Sequence, residues 1–247
     1  MITQLCIDCG NTRIKTGRFT DDRLAERWVG DYGQLAELRQ WASHSQAQRA
    51  IMCGTGGHDA EVAALLAEAL GTAPLQLTHE VHMPLALGYR TPHTLGTDRI
   101  ATVHGAWAAM PGCNLLVVDA GTAITLDVVL SNGVFLGGNI APGVTIRLLA
   151  MHEHTSRLPL VDIAGDVPLV GYDTHTAMRA GAVLGAAAEI DRLASQLRTT
   201  LGQLKVMLTG GDAHLLEQYL ESANVDVDDD LLLHGLNSIL SYQDENQ

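Results

Sequence analysis

The chain has 247 residues, enough for one large domain or two of ordinary size, and its 47% of hydrophobic residues can supply a core. Its formal charge of −13 disfavours broad binding of nucleic-acid backbones, because like charges repel. No apolar run approaches the roughly 18 residues that span a bilayer, and the first residues lack the basic region of a signal peptide. We therefore expect neither nucleic acid nor a membrane as a partner.

The four cysteines fall into no zinc-binding pattern. Cys6 and Cys9 have the spacing of a redox pair, but they span a predicted strand and its following turn rather than the start of a helix. We expect reduced thiols, and hence a cytoplasmic protein.

The first predicted element is a buried strand that ends in a polar turn. Residues 5–19 read LCIDCGNTRIKTGRF, in which an apolar run leads into Asp8, Gly10, Asn11 and Thr12 before apolar residues alternate again. This pattern predicts a strand, a tight turn and a second strand.

Further along the first half, helical spacing of apolar residues predicts helices over 35–44, 59–70 and from 97 or 98 to 110. The second of these helices has Asp59 as its expected N-cap and Gly71 as its left-handed end. Strands are expected at 50–57, which is apolar and ends in glycines, and at 76–81.

The second half opens with a near-copy of the first strand and turn, LLVVDAGTAITLDVV at residues 115–129. Asn132-Gly133 predicts a hairpin turn into a third strand at 134–136, after which 137–143 (GGNIAPG) is expected to interrupt regular structure. A long helix from 174 to about 201, a strand, glycine turn and helix at 205–220, and a last helix near 231–242 follow. The repetition predicts an α/β chain of two similar domains, 1–112 and 113–247, that face each other across a cleft.

The two turns carry residues that suit phosphate binding, which needs converging N–H groups and a glycine where a side chain would collide. In the first, Asp8 can hold hydrated Mg²⁺, and Lys15 adds charge or points to solvent. In the second, Asp119 can bind a cation while the Gly121 amide and the Thr122 hydroxyl contact phosphate. An ordinary hairpin turn is the alternative for either. A P-loop is excluded, because Ile14 stands where its second glycine must be.

At larger scale, two domains built around Asp-x-Gly turns, with a late Thr-Gly-Gly, resemble the actin, sugar-kinase and Hsp70 ATPase superfamily. Within it the chain closely resembles type III pantothenate kinase. The matching segments appear in the family's order: DCGNTRIK (8–15), Tyr89 in GYRTP, GTDR (96–99), DAGTAITLD (119–127), GGNIAPG (137–143) and Thr174 in DTHTAMRAG.

The resemblance implies two ribonuclease-H-like domains in tandem, and a cytosolic homodimer that phosphorylates pantothenate with ATP in the first step of coenzyme A synthesis. It assigns ATP binding to Asp8, Cys9, Gly10, Asn11, Thr12, Arg13, Ile14, Lys15 and Thr122. It assigns pantothenate binding to Tyr89, Gly96, Thr97, Asp98, Arg99 and, from the neighbouring subunit, Thr174. Asp98 would be the general base, Asp8 would hold Mg²⁺ through water, and Asp119 would sit at a site for K⁺ or NH4⁺.

Other interpretations stay open at this point. Without the resemblance, Gly-Thr-Asp-Arg would be an ordinary helix start with Thr97 or Asp98 as N-cap and Arg99 exposed. The chain also departs from the family pattern at Thr97, where a small residue is usual, at 50–59, and at Asp173, where asparagine is common. The alternative functions are a kinase or ATPase of related fold that acts on a sugar or acyl substrate, and a non-enzymatic regulatory protein.

Overall fold

The computed structural model describes residues 2–54, 57–222 and 225–245, so part of the segment 50–59 lies outside the described residues. The strands of these ranges are β1 (Thr3–Cys9), β2 (Ile14–Thr20), β3 (Arg23–Gly30), β4 (Arg49–Gly54), β5 (Leu75–Gln76), β6 (Ala86–Leu87), β7 (Asn114–Ala120), β8 (Ala123–Val129), β9 (Val134–Pro142), β10 (Leu204–Thr209) and β11 (Val225–Val227). The α-helices are α1 (Leu35–His44), α2 (Asp59–Leu70), α3 (Thr97–Ala109), α4 (Val144–Glu153), α5 (Thr174–Leu201), α6 (Ala213–Glu217) and α7 (Leu231–Glu245).

The chain forms two compact units. Unit 1 comprises Met1–Pro111, Asn132–Phe135 and Asp230–Gln247, and unit 2 comprises Gly112–Ser131 and Leu136–Asp229. The last helix, α7, therefore packs with the first half of the chain. These units describe which segments pack together and are not continuous in the chain, so the division into domains 1–112 and 113–247 stays a prediction.

The two sheets repeat one strand order. The first runs β3-β2-β1-β4-β5, and the second runs β9-β8-β7-β10-β11, with β6 added beside β9. In each, the first strand is antiparallel to the second and parallel to the fourth, which is in turn parallel to the fifth. This shared order, third-second-first-fourth-fifth, confirms the predicted α/β fold with a ribonuclease-H-like sheet in each half of the chain.

The core of unit 1 follows from the alternation of side chains along β1. Leu5, Ile7 and Cys9 lie on one face and pack with buried residues of α1 and α2. Gln4, Cys6 and Asp8 therefore lie on the other face, and α7 packs against β1. One face of this strand thus builds the core while the other carries the first of the candidate carboxylates.

Helices α3 and α7 cross at two glycines. A Cβ atom on Gly235 would overlap the carbonyl group of Ala101, and one on Gly105 would lie 3.0 Å from the Gly235 amide nitrogen. Any side chain at either position would push the helices apart, so the glycines fix how closely α3 approaches α7.

In unit 2 the long helix α5 covers the sheet. Its buried residues Ala182, Ala186 and Ile190 belong to one apolar cluster with buried residues of β7, β8 and β10. Small residues on α5 match the large aliphatic side chains of the strands, a combination that fills the core of a chain with only 4% aromatic residues.

Several predicted helices are confirmed at their ends. Helix α5 spans the predicted residues, and Gly71 ends α2 in the left-handed conformation, with φ of 72°. The expected N-cap of α2 is wrong, because Asp59 is its first helical residue and His58 is the N-cap, without a side-chain hydrogen bond. Within the described ranges, none of the helices combines the length and apolar character needed to cross a membrane.

The strand predictions fail where packing overrides local preference. Strand β9 continues through 137–142, a glycine-rich stretch expected to be irregular, since pairing in the sheet supplies its hydrogen bonds. Gly138 is required there because a Cβ atom would overlap the Leu126 carbonyl oxygen. The strand expected at 76–81 is reduced to the two residues of β5, Leu75–Gln76.

Candidate active site

The first turn, residues 8–13, joins β1 to β2. Cys9 pairs with Ile14 at the ends of the two strands, and the Gly10 amide closes the turn by donating to the Arg13 carbonyl oxygen at 3.1 Å. Asn11, Thr12 and Arg13 are exposed, and over the described ranges the amides of Asn11 and Thr12 have no hydrogen-bond partner. The turn therefore presents two backbone donors to solvent, an arrangement that suits an anion.

Not every residue of 8–15 can contribute its side chain to a ligand. Cys9 and Ile14 are fully buried in the core of unit 1, so each can act only through its backbone. Burial raises the pKa of the Cys9 thiol to about 12, with smaller contributions from the charges of Asp59 and Asp8. A buried thiol of this kind is inert, as is that of Cys6, whose pKa burial also raises.

The open question about Lys15 is answered by the strand register. Lys15 stands directly opposite Asp8 in the antiparallel pair of β1 and β2. Directly opposed residues lie on the same face of a sheet, so Lys15 shares the face of Asp8. Both side chains are half-buried, which places a cation and a carboxylate together beside the first turn.

Asp8 and Asp98 are far apart in sequence but lie near the same thiol. Cys53 pairs with Asp8 in the parallel register of β1 and β4, and its Sγ is 3.8 Å from Asp8 Oδ1. Burial raises the pKa of the Cys53 thiol, and the charges of Asp8 and then Asp98 raise it further. Thr97, which precedes Asp98, bonds to Gly54, which follows Cys53, so unit 1 brings the two carboxylates to the same end of β1 and β4.

Helix α3 begins against the end of β4. The Thr97 hydroxyl donates to the Gly54 carbonyl oxygen at 3.2 Å and accepts from the Gly54 amide at 3.3 Å. Neither Thr97 nor Asp98 is the N-cap, since Gly96 holds that position without a side-chain bond. Thr97, the departure from the family pattern, thus ties the start of α3 to the strand next to β1.

The Asp98 carboxylate is held at the helix start. Its Oδ1 accepts a hydrogen bond from the Arg99 amide at 2.8 Å. A Cβ atom on Gly96 would overlap this same oxygen, so glycine at 96 leaves room for the carboxylate. The backbone amides at the start of α3 also favour a negative charge at this end of the helix.

Arg99 is buried rather than exposed, with 6% of its surface accessible. Its guanidinium carbon lies 5.7 Å from the centre of the Tyr89 ring, and that ring stacks on Phe135 with centroids 6.4 Å apart. Unit 1 therefore gathers a half-buried carboxylate, a guanidinium and an aromatic ring, a set able to bind a small anion that carries a hydroxyl group.

The second turn, residues 119–122, joins β7 to β8. The Gly121 amide donates to the Ala123 carbonyl oxygen at 3.1 Å. It is therefore engaged within the turn, which contradicts its expected role as a phosphate donor. Asp119 is half-buried and Thr122 is exposed, so both side chains can reach a ligand.

Two glycine segments of unit 2 pack on this second turn. The Gly143 amide donates to the Thr122 carbonyl oxygen at 3.1 Å, and the Asp212 amide donates to the Ala120 carbonyl oxygen at 2.9 Å. A Cβ atom on Gly210 would lie 2.6 Å from the Ala120 carbonyl carbon and would overlap the Asp119 carboxylate. The late Thr-Gly-Gly turn thus supports the second turn, and its Asp212 amide is not available to an anion.

Thr174 is the first residue of α5 and is exposed. The helix is capped by Asp173, whose Oδ1 accepts from the Thr176 amide at 2.8 Å. This hydrogen bond lowers the pKa of the Asp173 carboxyl. Asparagine, common at this position in the family pattern, offers the same acceptor, so the departure preserves the cap.

Two further features bear on ligands. A cavity of about 480 Å³ in unit 1 is lined by residues of β2, α3 and α7, such as Phe19 and His234, and by none of the predicted site residues. Within the described ranges, no three His, Cys, Asp or Glu residues are grouped as metal ligands. A cation at Asp8 or Asp119 would therefore complete its coordination with backbone oxygens, water or a phosphorylated ligand.

Sequence reasoning missed two residues beside the first turn. Cys53 was overlooked because only the strand register brings it next to Asp8. The Tyr32 hydroxyl donates to the Gly10 carbonyl oxygen at 2.6 Å. No sequence signal marked Tyr32, which follows the unpredicted strand β3.

The fold is shared with solved structures that differ widely in sequence. A ROK hexokinase from Thermus thermophilus matches with a TM-score of 0.57 and 15% identity, over 100% of each chain. A component of (R)-2-hydroxyglutaryl-CoA dehydratase from Acidaminococcus fermentans matches with a TM-score of 0.57 and 14% identity, also over 100% of each chain. These likenesses place the chain in the fold of the actin, sugar-kinase and Hsp70 ATPase superfamily.

Sequence comparison is more specific. The model of the type III pantothenate kinase family matches residues 4–196. The type III pantothenate kinase of Azobacteroides pseudotrichonymphae is 37% identical over 244 residues, which cover 97% of this chain and 96% of the relative. That of Porphyromonas gingivalis W83 is 38% identical over 247 residues, covering 98% of this chain and 99% of the relative. Since the segments that form both turns and the start of α3 lie within the matched region, the chain belongs to the type III pantothenate kinase family.

Proposed function

We propose that this protein transfers the γ-phosphoryl group of ATP to the primary hydroxyl of pantothenate, which gives 4′-phosphopantothenate and opens coenzyme A synthesis. Family membership supports the reaction. The observation that carries the proposal is the pair of contacts at the end of β4, where Cys53 touches Asp8 and the next residue, Gly54, bonds to Thr97 beside Asp98, because it joins a phosphate-binding turn to a carboxylate able to act as base.

In this proposal the first turn binds the phosphates of ATP. The exposed amides of Asn11 and Thr12 donate to phosphate oxygens, Gly10 leaves space for them, and Lys15 adds a positive charge on the face of Asp8. Asp8 fits Mg²⁺ held through water, since Mg²⁺ binds to few protein carboxylates and keeps water and phosphate oxygens as its other ligands. When bound, Mg²⁺ neutralises charge on the phosphoryl oxygens.

Asp98 acts as the general base. Phosphoryl transfer passes through a loose transition state, so the attacking hydroxyl needs alignment more than early deprotonation. A carboxylate that accepts the hydroxyl proton aims the oxygen and takes up the proton as the new bond forms. The Arg99 amide and the tie between Thr97 and Gly54 hold this carboxylate in place.

Arg99 and Tyr89 bind the substrate. Pantothenate carries a carboxylate, and the planar guanidinium of Arg99 can bind a carboxylate through two parallel hydrogen bonds. Tyr89 is held by its stacking on Phe135 and offers a ring face beside Arg99. Gly96 admits the Asp98 carboxylate at the same helix start.

In unit 2, Thr122 contacts the nucleotide and Asp119 binds K⁺ or NH4⁺. The fit of a monovalent cation rests on the oxygen atoms of this turn, which are those of the half-buried Asp119 carboxylate and of the Ala120 and Thr122 carbonyl groups on which Gly210 and Gly143 pack. Carboxylate and carbonyl oxygens are the ligands that hard cations prefer.

The protein acts as a cytoplasmic homodimer in which Thr174 of one subunit completes the pantothenate site of the other. Exposed apolar residues precede Thr174 in the chain: Leu169, Val170 and Tyr172 are 89%, 79% and 69% exposed. Such a cluster next to a site residue suits burial against a second copy. The four cysteines are free, which is compatible with a reducing compartment.

A coupled assay with pantothenate and MgATP, in K⁺ and in Na⁺ buffers, tests the proposal. We expect turnover that requires pantothenate and is much faster in K⁺. A panel of sugars and acyl substrates run alongside separates this kinase from one of related fold. Turnover with a sugar and none with pantothenate would overturn the proposed substrate, and no turnover with any substrate would favour the regulatory alternative.

A further inference from the structure

We propose that Tyr32 is a positioning residue of the first turn: its hydroxyl fixes the peptide between Gly10 and Asn11 so that the Asn11 amide faces the phosphates of ATP. This inference rests on the proposed function. It assigns a role to a residue outside the turn, on a segment that no motif marks.

The contact itself is short and specific. The Tyr32 hydroxyl donates to the Gly10 carbonyl oxygen at 2.6 Å, which lies at the short end of the range for hydroxyl donors. The Gly10 amide is bonded to the Arg13 carbonyl oxygen on the other side of the residue. Both polar groups of Gly10 are therefore engaged, one within the turn and one by Tyr32.

The backbone of Tyr32 is held firmly. Tyr32 begins a short 3-10 helix, Tyr32–Gln34, whose N-cap is Asp31. Asp31 accepts from the Gly33 amide at 2.8 Å, while the Gln34 side chain accepts from the Asp31 amide at 3.1 Å. These reciprocal bonds form a capping box, which fixes the start of the helix and thus the point from which the tyrosine ring projects.

The ring of Tyr32 is held from a second side. It stacks on the His58 ring with centroids 4.5 Å apart and planes inclined by 28°. His58 is the N-cap of α2, and Tyr32 also packs against the apolar core of unit 1. A ring fixed on both sides places its hydroxyl with little freedom.

The geometry of the peptide links this hydroxyl to phosphate binding. A trans peptide is planar, so its C=O and the following N–H point in opposite directions. Holding the Gly10 carbonyl oxygen towards Tyr32 therefore turns the Asn11 N–H to the opposite side. Because glycine rotates its peptide more freely than other residues, Gly10 would otherwise also present its carbonyl oxygen to an anion, which repels phosphate.

The hydroxyl stays a donor over a wide pH range. Burial, together with smaller contributions from the charges of Cys9, Asp59 and Asp8, raises the pKa of Tyr32 to about 12. The hydrogen bond to Gly10 is therefore present throughout the conditions of an ordinary kinase assay.

The test is Tyr32→Phe, which keeps the ring and its stacking on His58 and removes only the donor. A net hydrogen bond corresponds to a factor of about 2 to 13 in binding. We expect the KM for ATP, and the Kd of a non-hydrolysable MgATP analogue measured by calorimetry, to rise by about that factor. The kcat at saturating ATP and the KM for pantothenate should not change.

Tyr219→Phe is the matched control, since it removes a tyrosine hydroxyl in unit 2 and should leave every constant unchanged. Unchanged analogue affinity in Tyr32→Phe would overturn the inference. So would equal changes in both KM values, the signature of a merely structural role. Binding of the analogue by the wild-type protein distinguishes the two proposals. If the wild type does not bind it, the proposed function is wrong. If the wild type and the variant bind it equally well, only the positioning role of Tyr32 is wrong.

Discussion

The first and second turns share a sequence pattern at the end of a buried strand, but different parts of the chain hold them. In the first, Asn11, Thr12 and Arg13 are exposed, and a side chain, Tyr32, bonds to the backbone. In the second, the backbones of two glycine segments bond to the turn at Thr122 and Ala120. One motif has thus become an open loop with free amides in unit 1 and a packed junction in unit 2.

This difference teaches where each turn can be altered. The role of the first turn depends on its polar groups, because its backbone amides and the Asp8 carboxylate suit a ligand. The structure of the second turn depends on the close approach of two backbones, because a side chain at Gly143 or Gly210 would overlap the turn. A side chain added at a glycine should therefore impair folding more at the second turn than at the first.

The largest expected effect comes from Gly210→Ala. Gly210 has φ of 94°, and a Cβ atom would overlap the second turn, so we expect unit 2 to lose about 3 kcal/mol or more of unfolding free energy. Gly10→Ala is the comparison, since its Cβ atom would meet only the Arg13 carbonyl oxygen, at 3.1 Å. Denaturant unfolding of both variants measures the difference, and equal destabilisation would contradict the contrast between the turns.

The next largest effects are expected from the carboxylates of the two turns, whose substitutions should change the kinetics in different ways. Asp8→Asn removes the charge that holds hydrated Mg²⁺, so we expect kcat/KM to fall roughly 100-fold at every K⁺ concentration. Asp119→Asn should instead abolish the stimulation by K⁺ while retaining the slower rate seen in Na⁺. Steady-state rates across a K⁺ titration distinguish the two. Equal rates of the wild-type protein in K⁺ and Na⁺ would remove the role assigned to Asp119.

A smaller effect is expected when the pH is lowered, because protonation of His104 in α3 should reduce the unfolding free energy of unit 1. His104 is fully buried, its two ring nitrogens lack hydrogen-bond partners within the described ranges, and burial lowers its pKa to about 4. The unfolded chain binds this proton below about pH 6.5. Stability is therefore complete above that pH and falls as the pH drops towards 4, by about 2 kcal/mol at pH 5.

His104→Leu supplies the control for this prediction. Leucine fills the site without a titratable group, so the difference in unfolding free energy between pH 7 and pH 5 should shrink by about 2 kcal/mol relative to the wild type. An unchanged pH dependence in urea unfolding would show that His104 does not bind its proton more weakly in the folded state.

The sequence revealed more of the helices than of the sheets. Helices such as α5 were predictable because small and apolar residues recur at helical spacing. Strand β3 was not, because most of its residues are exposed and the Asp21-Asp22 turn before it carries positive φ angles usually found with asparagine or glycine. The predicted strand at 134–136 was too short, because pairing in the sheet, rather than glycine content, decides the length of β9.

The candidate site was predictable residue by residue only through the family resemblance. Periodicity alone made Gly-Thr-Asp-Arg an ordinary helix start, and nothing local indicated that Arg99 is buried. The juxtaposition of Asp8 with Asp98 depends on the parallel register of β1 and β4 and on the contact of Thr97 with Gly54. Such long-range pairings are set by the whole sheet, which no short stretch of sequence encodes.

The most direct test of the account is the turnover of Asp98→Asn with saturating MgATP and pantothenate. The account predicts that kcat falls by about 10² to 10⁴, the contribution of a general base, while analogue affinity and the unfolding midpoint match the wild type. A variant that folds, binds the analogue and turns over at close to the wild-type rate would contradict it.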